Sequence, residues 1–179
     1  VHIKSSGDAI DVGSSSANIT LKGDNKIFSE NSSALHVSSG DVTIDGDGSL
    51  EAEIGGEDNY YNYNANIGSH EYEDMSGSIH ITGGATVTAT RGSGTGDGAG
   101  IGSGDSGEMS GNITIDGNAQ VTAVSKRFGA GIGSGQYRDM TGTITIGGSA
   151  RVTAWSDSNG AGIGSGDSGE MSGDITIGD

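Results

Sequence analysis

The side chains able to do chemistry in this chain recur at intervals. Asp74, Glu108, Asp139 and Glu170 occupy one position of a repeating loop, and Glu71, Asp105, Gln136 and Asp167 precede them by three residues. If the loops stack, carboxylates recur about every 5 Å, which is unfavourable unless they are solvated or a cation lies between them. Hard oxygen donors beside Gly and Ser carbonyls suit Ca²⁺. Asp74, Glu108, Asp139, Glu170, Asp105 and Asp167 are therefore candidate metal ligands. Asp45 and Asp47, in Asp45-Gly46-Asp47-Gly48, form a second candidate that lacks the rest of a calcium loop. The competing reading of the column is a solvated acidic ridge.

Aromatic residues form the second set. Tyr60, Tyr61 and Tyr63 lie in an insertion at 54–64, and Tyr72 and Tyr137 share one loop position two repeats apart. Trp155 follows a Val-Thr-Ala triplet with outward parity. Phe128 lies beside Lys126 and Arg127 in the same loop family. Exposed aromatics next to acids and amides are what flat sugar rings stack on, so Tyr72, Tyr137, Trp155, Tyr60, Tyr61 and Tyr63 are candidate ligand-binding residues. The alternative is that they cover loop and strand edges.

No catalytic set stands out. A glycosidase needs paired carboxylates flanking one bond, and the exposed strand positions here read as Thr and Gly. Asp11, His36, Glu51 and His80 are scattered, with His36 and His80 read as surface histidines.

Composition narrows the classes further. There is no Cys, which removes disulfides, thiol catalysis and Cys-based zinc sites. No apolar run reaches the ~18 residues of a spanning helix, and no signal peptide is visible. The chain opens on Val1, which reads as a piece of something longer. A formal charge of −16 repels phosphate backbones, so nucleic acid is not the expected partner. Low hydrophobicity and net charge would ordinarily mean disorder, but periodicity overturns that.

The elements that must position these residues come from an internal repeat. GAGIGSG stands at 98–104, 129–135 and 160–166, with a degenerate copy, NANIGSH, at 64–70. The central Ile67, Ile101, Ile132 and Ile163 are spaced by 34, 31 and 31 residues, and a Met follows each by eight: Met75, Met109, Met140 and Met171. An I-x-I triplet comes next (Ile79–Ile81, Ile113–Ile115, Ile144–Ile146, Ile175–Ile177), then V-T-A (Val87–Ala89, Val121–Ala123, Val152–Ala154). A worn version precedes them. Ile10-Asp11-Val12, Ile19-Thr20-Leu21 and Lys26-Ile27-Phe28 form one set; Leu35-His36-Val37, Val42-Thr43-Ile44 and Leu50-Glu51-Ala52 form the next.

Each segment alternates apolar and polar with the period of a half-buried strand. Such Gly content would not hold a helix. Three short strands per ~31 residues, each stacked on its copy, predict an all-β chain: a single-stranded, right-handed parallel β-helix of about six rungs. At the strand spacing of a sheet six rungs span roughly 29 Å. The chain reads as one domain over 1–179, with degenerate rungs at 1–63 and regular repeats at 64–179. In this reading Val1-His2-Ile3 is the tail of a preceding rung and the sixth unit breaks off after Ile177.

Both isoleucines of I-x-I should point inward, leaving Thr20, Thr43, His80, Thr114, Thr145 and Thr176 outward. Thr88, Thr122 and Thr153 do the same in V-T-A, and the Met column fills a corner of the core. Parity puts Gly100, Gly102 and Gly104 opposite Ile101. They are either a bare outer face that accepts a partner or second copy, or glycines required by a tight corner with positive φ.

The pattern ITLKGDNKI, VTIDGDGSLEAE, GAGIGSG and GxITIxGxAxVTA resembles the β-helical carbohydrate-binding domains of bacterial surface and secreted proteins, which are similar to pectate-lyase-like β-helices. The resemblance runs from about Asn18 to Ile177. It implies a non-catalytic, extracellular module, wall-anchored or secreted, that binds plant or host polysaccharide, with calcium as an accessory ion. Asp45-Gly46-Asp47 matches the family's GDG turn. The expected function is thus a bacterial carbohydrate-binding or adhesion module. The alternatives are a passive stalk that self-associates through the Gly face or open rung ends, a polysaccharide lyase or hydrolase, and an ice-binding protein.

Overall fold

The computed structural model describes residues 1–55, 61–92 and 95–178. Among these there is no helix, and the strands form three sheets of six, every pairing parallel. The V-T-A sheet contains His2–Ser5, Asp24–Ser29, Ser49–Ile54, Thr86–Arg91, Gln120–Ser125 and Arg151–Ser156. The I-x-I sheet contains Ala17–Leu21, Val42–Gly46, Ile79–Ile81, Asn112–Ile115, Thr143–Ile146 and Asp174–Ile177. The glycine sheet contains Ile10–Gly13, Leu35–Val37, Ile67–Gly68, Ile101–Gly102, Ile132–Gly133 and Ile163–Gly164. Each strand pairs with the strand three places on in the chain, so one residue of each rung lies over its counterpart in the next. This arrangement fits a right-handed parallel β-helix.

Register follows from the period of two. Ile113 pairs with Ile79 and Ile144, and Ile115 pairs with Ile81 and Ile146; all of these are buried. Val121 and Ala123 pair with Val87 and Ala89 on one side, and with Val152 and Ala154 on the other. Ile101 lies between Ile67 and Ile132. Met75, Met109 and Met140 are fully buried and bridge to one another up the stack, filling the corner as expected. Burying each large side chain is worth about 1.5–3 kcal/mol, and no rung could do so alone. The terminal rungs leave apolar side chains open: Met171 is 45% and Ile177 69% exposed.

Two sequence readings change. Asn18, not Thr20, lies opposite Thr43, while Thr20 pairs with Asp45; the first I-x-I strand is entered one pleat earlier than its triplet suggests. The glycines offer no outer face, because Gly100, Gly102 and Gly104 are buried. A Cβ on Gly102 would stand 1.8 Å from the Gly133 carbonyl oxygen, and one on Gly104 would stand 2.3 Å from that of His70. The Gly102 φ of +138° also belongs to glycine alone. These residues are small because the next rung's backbone occupies the space.

Candidate functional site

Three columns of side chains meet where the loop enters and leaves the glycine sheet. The residue before each GAG or NAN forms the first column: Tyr63, Asp97 and Phe128. The residue after each GSG or GSH forms the second: Glu71, Asp105 and Gln136. The third is the next residue on: Tyr72, Ser106 and Tyr137. Backbone hydrogen bonds fix them to one another. The N–H groups of Asp105 and Gln136 donate to the Tyr63 and Asp97 carbonyls, at 2.7 and 3.0 Å. The N–H groups of Tyr72 and Ser106 donate to the Asp105 and Gln136 carbonyls of the following rung, at 2.8 and 2.9 Å. All of these except Ser106, together with Arg127, line a groove of about 360 Å³.

Its rim is aromatic. Tyr72 and Tyr137 are 75% and 58% exposed, and their backbones lie about 9.6 Å apart at two rung spacings. Their φ values are 60° and 65°, and Ser106 and Ser168 share the conformation at 58° and 64°. The turn itself therefore demands a left-handed residue. A bulky side chain there is an unfavourable choice, made in the two rungs that flank the groove. Tyr61 stacks on Tyr63 with ring centroids 6.2 Å apart and planes within 7°, extending the platform. Arg127 lies 4.4 Å over the Phe128 ring.

Its floor is acidic. Asp97 and Asp105 are 4% and 6% exposed, and Oδ1 of each finds no hydrogen-bond partner among the described residues. Burial, then the charges of Asp97 and Glu71, pushes the Asp105 carboxyl up to about 6. Burial also raises Asp97, against the pull of Arg127 and Arg91. Arg127 Nη1 lies 3.5 Å from Asp97 Oδ2. Arg91 is itself buried, donates to the Asn64 carbonyl and is lowered to about 10 by desolvation. Buried, under-satisfied charges of this kind are rare, and perturbed groups tend to cluster at functional sites. The groove offers aromatic faces, carboxylate acceptors and a guanidinium donor.

The residues singled out in the sequence are dispersed. Tyr72, Tyr137, Tyr63 and Asp105 line the groove, with Tyr61 stacked beside it; Tyr60 lies outside the described residues. Trp155 does not join them. It stands 41% exposed on the V-T-A sheet, its Nε1–H donating to Asp157 Oδ1 at 2.9 Å. The acidic column works as a set of clips between rungs. Asp74 Oδ1 accepts the Glu108 N–H at 2.9 Å, Asp139 Oδ1 accepts the Glu170 N–H at 2.8 Å, and Glu108 Oε1 accepts the Thr141 hydroxyl at 2.7 Å. Asp167 accepts from Gln136 at 3.3 Å. Asp45 accepts its own neighbour's N–H, from Gly46, at 2.6 Å, and Asp47 is exposed. Among the described residues, donor atoms from three His, Asp or Glu side chains converge within 4.8 Å only at Asp8, His36 and His70.

Asp97 escaped the sequence reading, and so did Asp8, His70 and Glu73. His36 reads in the sequence as a surface histidine, but it is 7% exposed. The available signal was departure from the repeat: His70 stands where regular copies have Gly104, Gly135 and Gly166, and Asp97 aligns with Tyr63, Phe128 and Asn159.

The fold and its laddered corner define a parallel β-helix. The beta helix repeat family model matches residues 79–105, 113–136 and 144–167, the regular part of the chain. No curated protein and no solved structure matches it significantly.

Proposed function

We propose that this β-helix is a non-catalytic carbohydrate-binding or adhesion module of an extracellular bacterial protein, and that the groove of Tyr63, Tyr72, Asp97, Asp105 and Tyr137 is where the glycan sits. The observation that carries this reading is the pair of tyrosines held in left-handed backbone over a floor of under-satisfied carboxylates. Tyrosine faces suit the apolar faces of sugar rings, and carboxylates accept hydroxyl hydrogen bonds. A chain of charge −16 favours neutral glycans over acidic ones. The test is a glycan array followed by calorimetry on the strongest hit, with and without calcium. Binding should fall at least tenfold in the Tyr72→Ala/Tyr137→Ala double variant and stay unchanged in Trp155→Ala. An array without hits would favour the stalk reading.

A second reading rests on Asp97 and Asp105 themselves. Two buried carboxyls line one groove, Asp105 raised to about 6 and Asp97 raised as well, and glycoside hydrolysis runs on a pair of carboxyl groups. Release of reducing ends from a bound glycan, lost in Asp105→Asn, would replace the binding-module reading with a hydrolase.

A further inference from the structure

The groove carries more negative charge than its own residues offset. Three carboxylates, Glu71, Asp97 and Asp105, line it, against one cation, Arg127, among the described residues. Arg127 is a poor counterion. Its Nη1 stands 3.5 Å from Asp97 Oδ2, at the limit of a hydrogen bond, and its guanidinium lies over the Phe128 ring. Arg91 acts on Asp97 from outside the lining, where it is buried and donates to the Asn64 carbonyl. Asp105 has no ion pair among the described residues, and its Oδ2 accepts only a long bond from the Ser106 hydroxyl, at 3.4 Å. Asp97 and Asp105 are 4% and 6% exposed, and both leave Oδ1 without a partner.

The repeat concentrates this deficit in one rung. Asp97 and Asp105 flank the same GAGIGSG copy, whereas the later copies carry Phe128 with Gln136 and Asn159 with Asp167. In that rung the left-handed rim position is Ser106, and Tyr72 and Tyr137 hold it in the rungs on either side. The small rim residue thus falls in the rung of the two buried carboxyls. Sugar hydroxyls would complete hydrogen bonds there and leave the charge uncompensated. A protonated primary amine does both, with three N–H donors, a positive charge and no acceptor. The aromatic faces of the groove attract it as well. An N-acetyl group in the same place brings a carbonyl oxygen against acceptors and a methyl group that leaves buried oxygens unpaired.

We infer that the groove selects glycans built from hexosamine with a free amino group, the ammonium paired with Asp97 and Asp105 and the sugar ring against Tyr72 and Tyr137. This inference rests on the glycan reading of the groove and names the sugar class within it. The chain's charge of −16 draws a cationic glycan toward the protein. Arg127 competes with the ammonium for Asp97, so the groove exchanges a weakly held internal cation for one that the ligand brings.

The test is calorimetry of the intact chain with short oligomers of β-linked glucosamine and, at equal length, of N-acetylglucosamine. The free-amine oligomer should bind at least about tenfold tighter, with an affinity that falls as salt is added. Asp97→Asn/Asp105→Asn should abolish that preference. Asp74→Asn/Asp139→Asn, which removes the same charge outside the groove, should keep it. Arg127→Gln should raise amine affinity several-fold, and Tyr72→Ala/Tyr137→Ala should weaken both oligomers together. Melting curves establish that each variant is folded, and Glu71→Gln, at a half-buried wall residue, carries the same test if the buried pair does not tolerate change. Equal affinity for the two oligomers, or a preference that survives in the folded groove variants, would overturn the inference. So would a lysine peptide of equal charge that binds as tightly and is lost in the same variants. A neutral glycan bound in the groove without amine preference overturns this inference and leaves the glycan reading standing; no glycan binding of either kind removes both.

Discussion

The worn rungs and the regular rungs use the same backbone corner differently. In the regular part the second residue of the glycine-sheet strand is Gly68, Gly102, Gly133 or Gly164, at φ +138°, +138°, +136° and +132°. At Gly68, Gly102 and Gly133 the backbone turns the would-be side chain into the next rung, and only hydrogen fits. In the worn part the register-equivalent residues are Asp11 and His36, which keep negative φ and carry full side chains. A register irregularity between Asp11 and Gly13 accompanies the change. The corner that packs backbone on backbone has no chemistry, and the corner that relaxes gathers two histidines, His36 and His70, and three carboxylates, Asp8, Asp11 and Glu73. In a solenoid, then, regularity marks the scaffold and departure from it marks where side chains can be put to use.

The contrast breaks most sharply at Gly102. Gly102→Val meets the Gly133 carbonyl and an unsuitable φ together, and should cost on the order of 3 kcal/mol or prevent folding, as read by urea denaturation. A loss under 1 kcal/mol would show that the corner can relax anywhere, leaving nothing special about the worn rungs.

Asp105 sharpens the comparison within the regular part. Its carboxyl titrates at about 6 when folded and near 3.8 when unfolded, so the folded state holds its proton to higher pH. That contribution is complete below about 3.8 and lost as pH rises through about 6. Asp105→Asn should therefore raise stability at pH 7 by on the order of 2 kcal/mol and flatten melting temperature between pH 4 and 6. An unchanged pH profile would mean that the groove floor is better solvated than its burial implies.

The acidic clips come next. Asp74→Ala removes the acceptor of the Glu108 N–H and should cost about 1 kcal/mol, with Asp139→Ala similar and the two nearly additive. If calcium instead held this column, chelation would destabilise the parent chain and leave Asp74→Ala unaffected.

The smallest effect carries the opposite sign. Tyr72→Gly relieves a left-handed tyrosine that is 75% exposed and should stabilise by about 0.5–1 kcal/mol. A protein that gains stability and loses glycan affinity through one substitution would be paying for binding with strain. Equal stability would show that the turn accepts tyrosine freely.

The repeat was legible because alternation, spacing and the Met column are local or periodic properties of the chain. Ile113 and Ile144 must stack if each rung copies the last, so the three sheets, their order and the inward columns follow from Ile, Val and Ala at period two. The shared loop position of Tyr72 and Tyr137 was legible for the same reason. Asp97 was not: alone it is one acid among many, and it matters because the loop path lowers it beside Asp105 under a tyrosine rim. The acidic column was legible as a column, but its hydrogen bonds to the next rung's N–H groups depend on side-chain direction, which spacing does not carry. Trp155 had the right parity and the wrong sheet for the groove.

By itself, then, the sequence determined the architecture, because a period of two nested in a period of ~31 residues leaves few ways to bury its apolar positions. Tertiary structure alone decided where the chemistry lies. Asp8, His36 and His70 are drawn from three successive rungs, and Asp97 and Asp105 face one groove from the two ends of a single GAGIGSG segment, one before and one after its strand. Their separations, burial and missing partners arise only when rungs stack at the spacing of a β-sheet, which brings residues far apart in the chain within hydrogen-bonding reach.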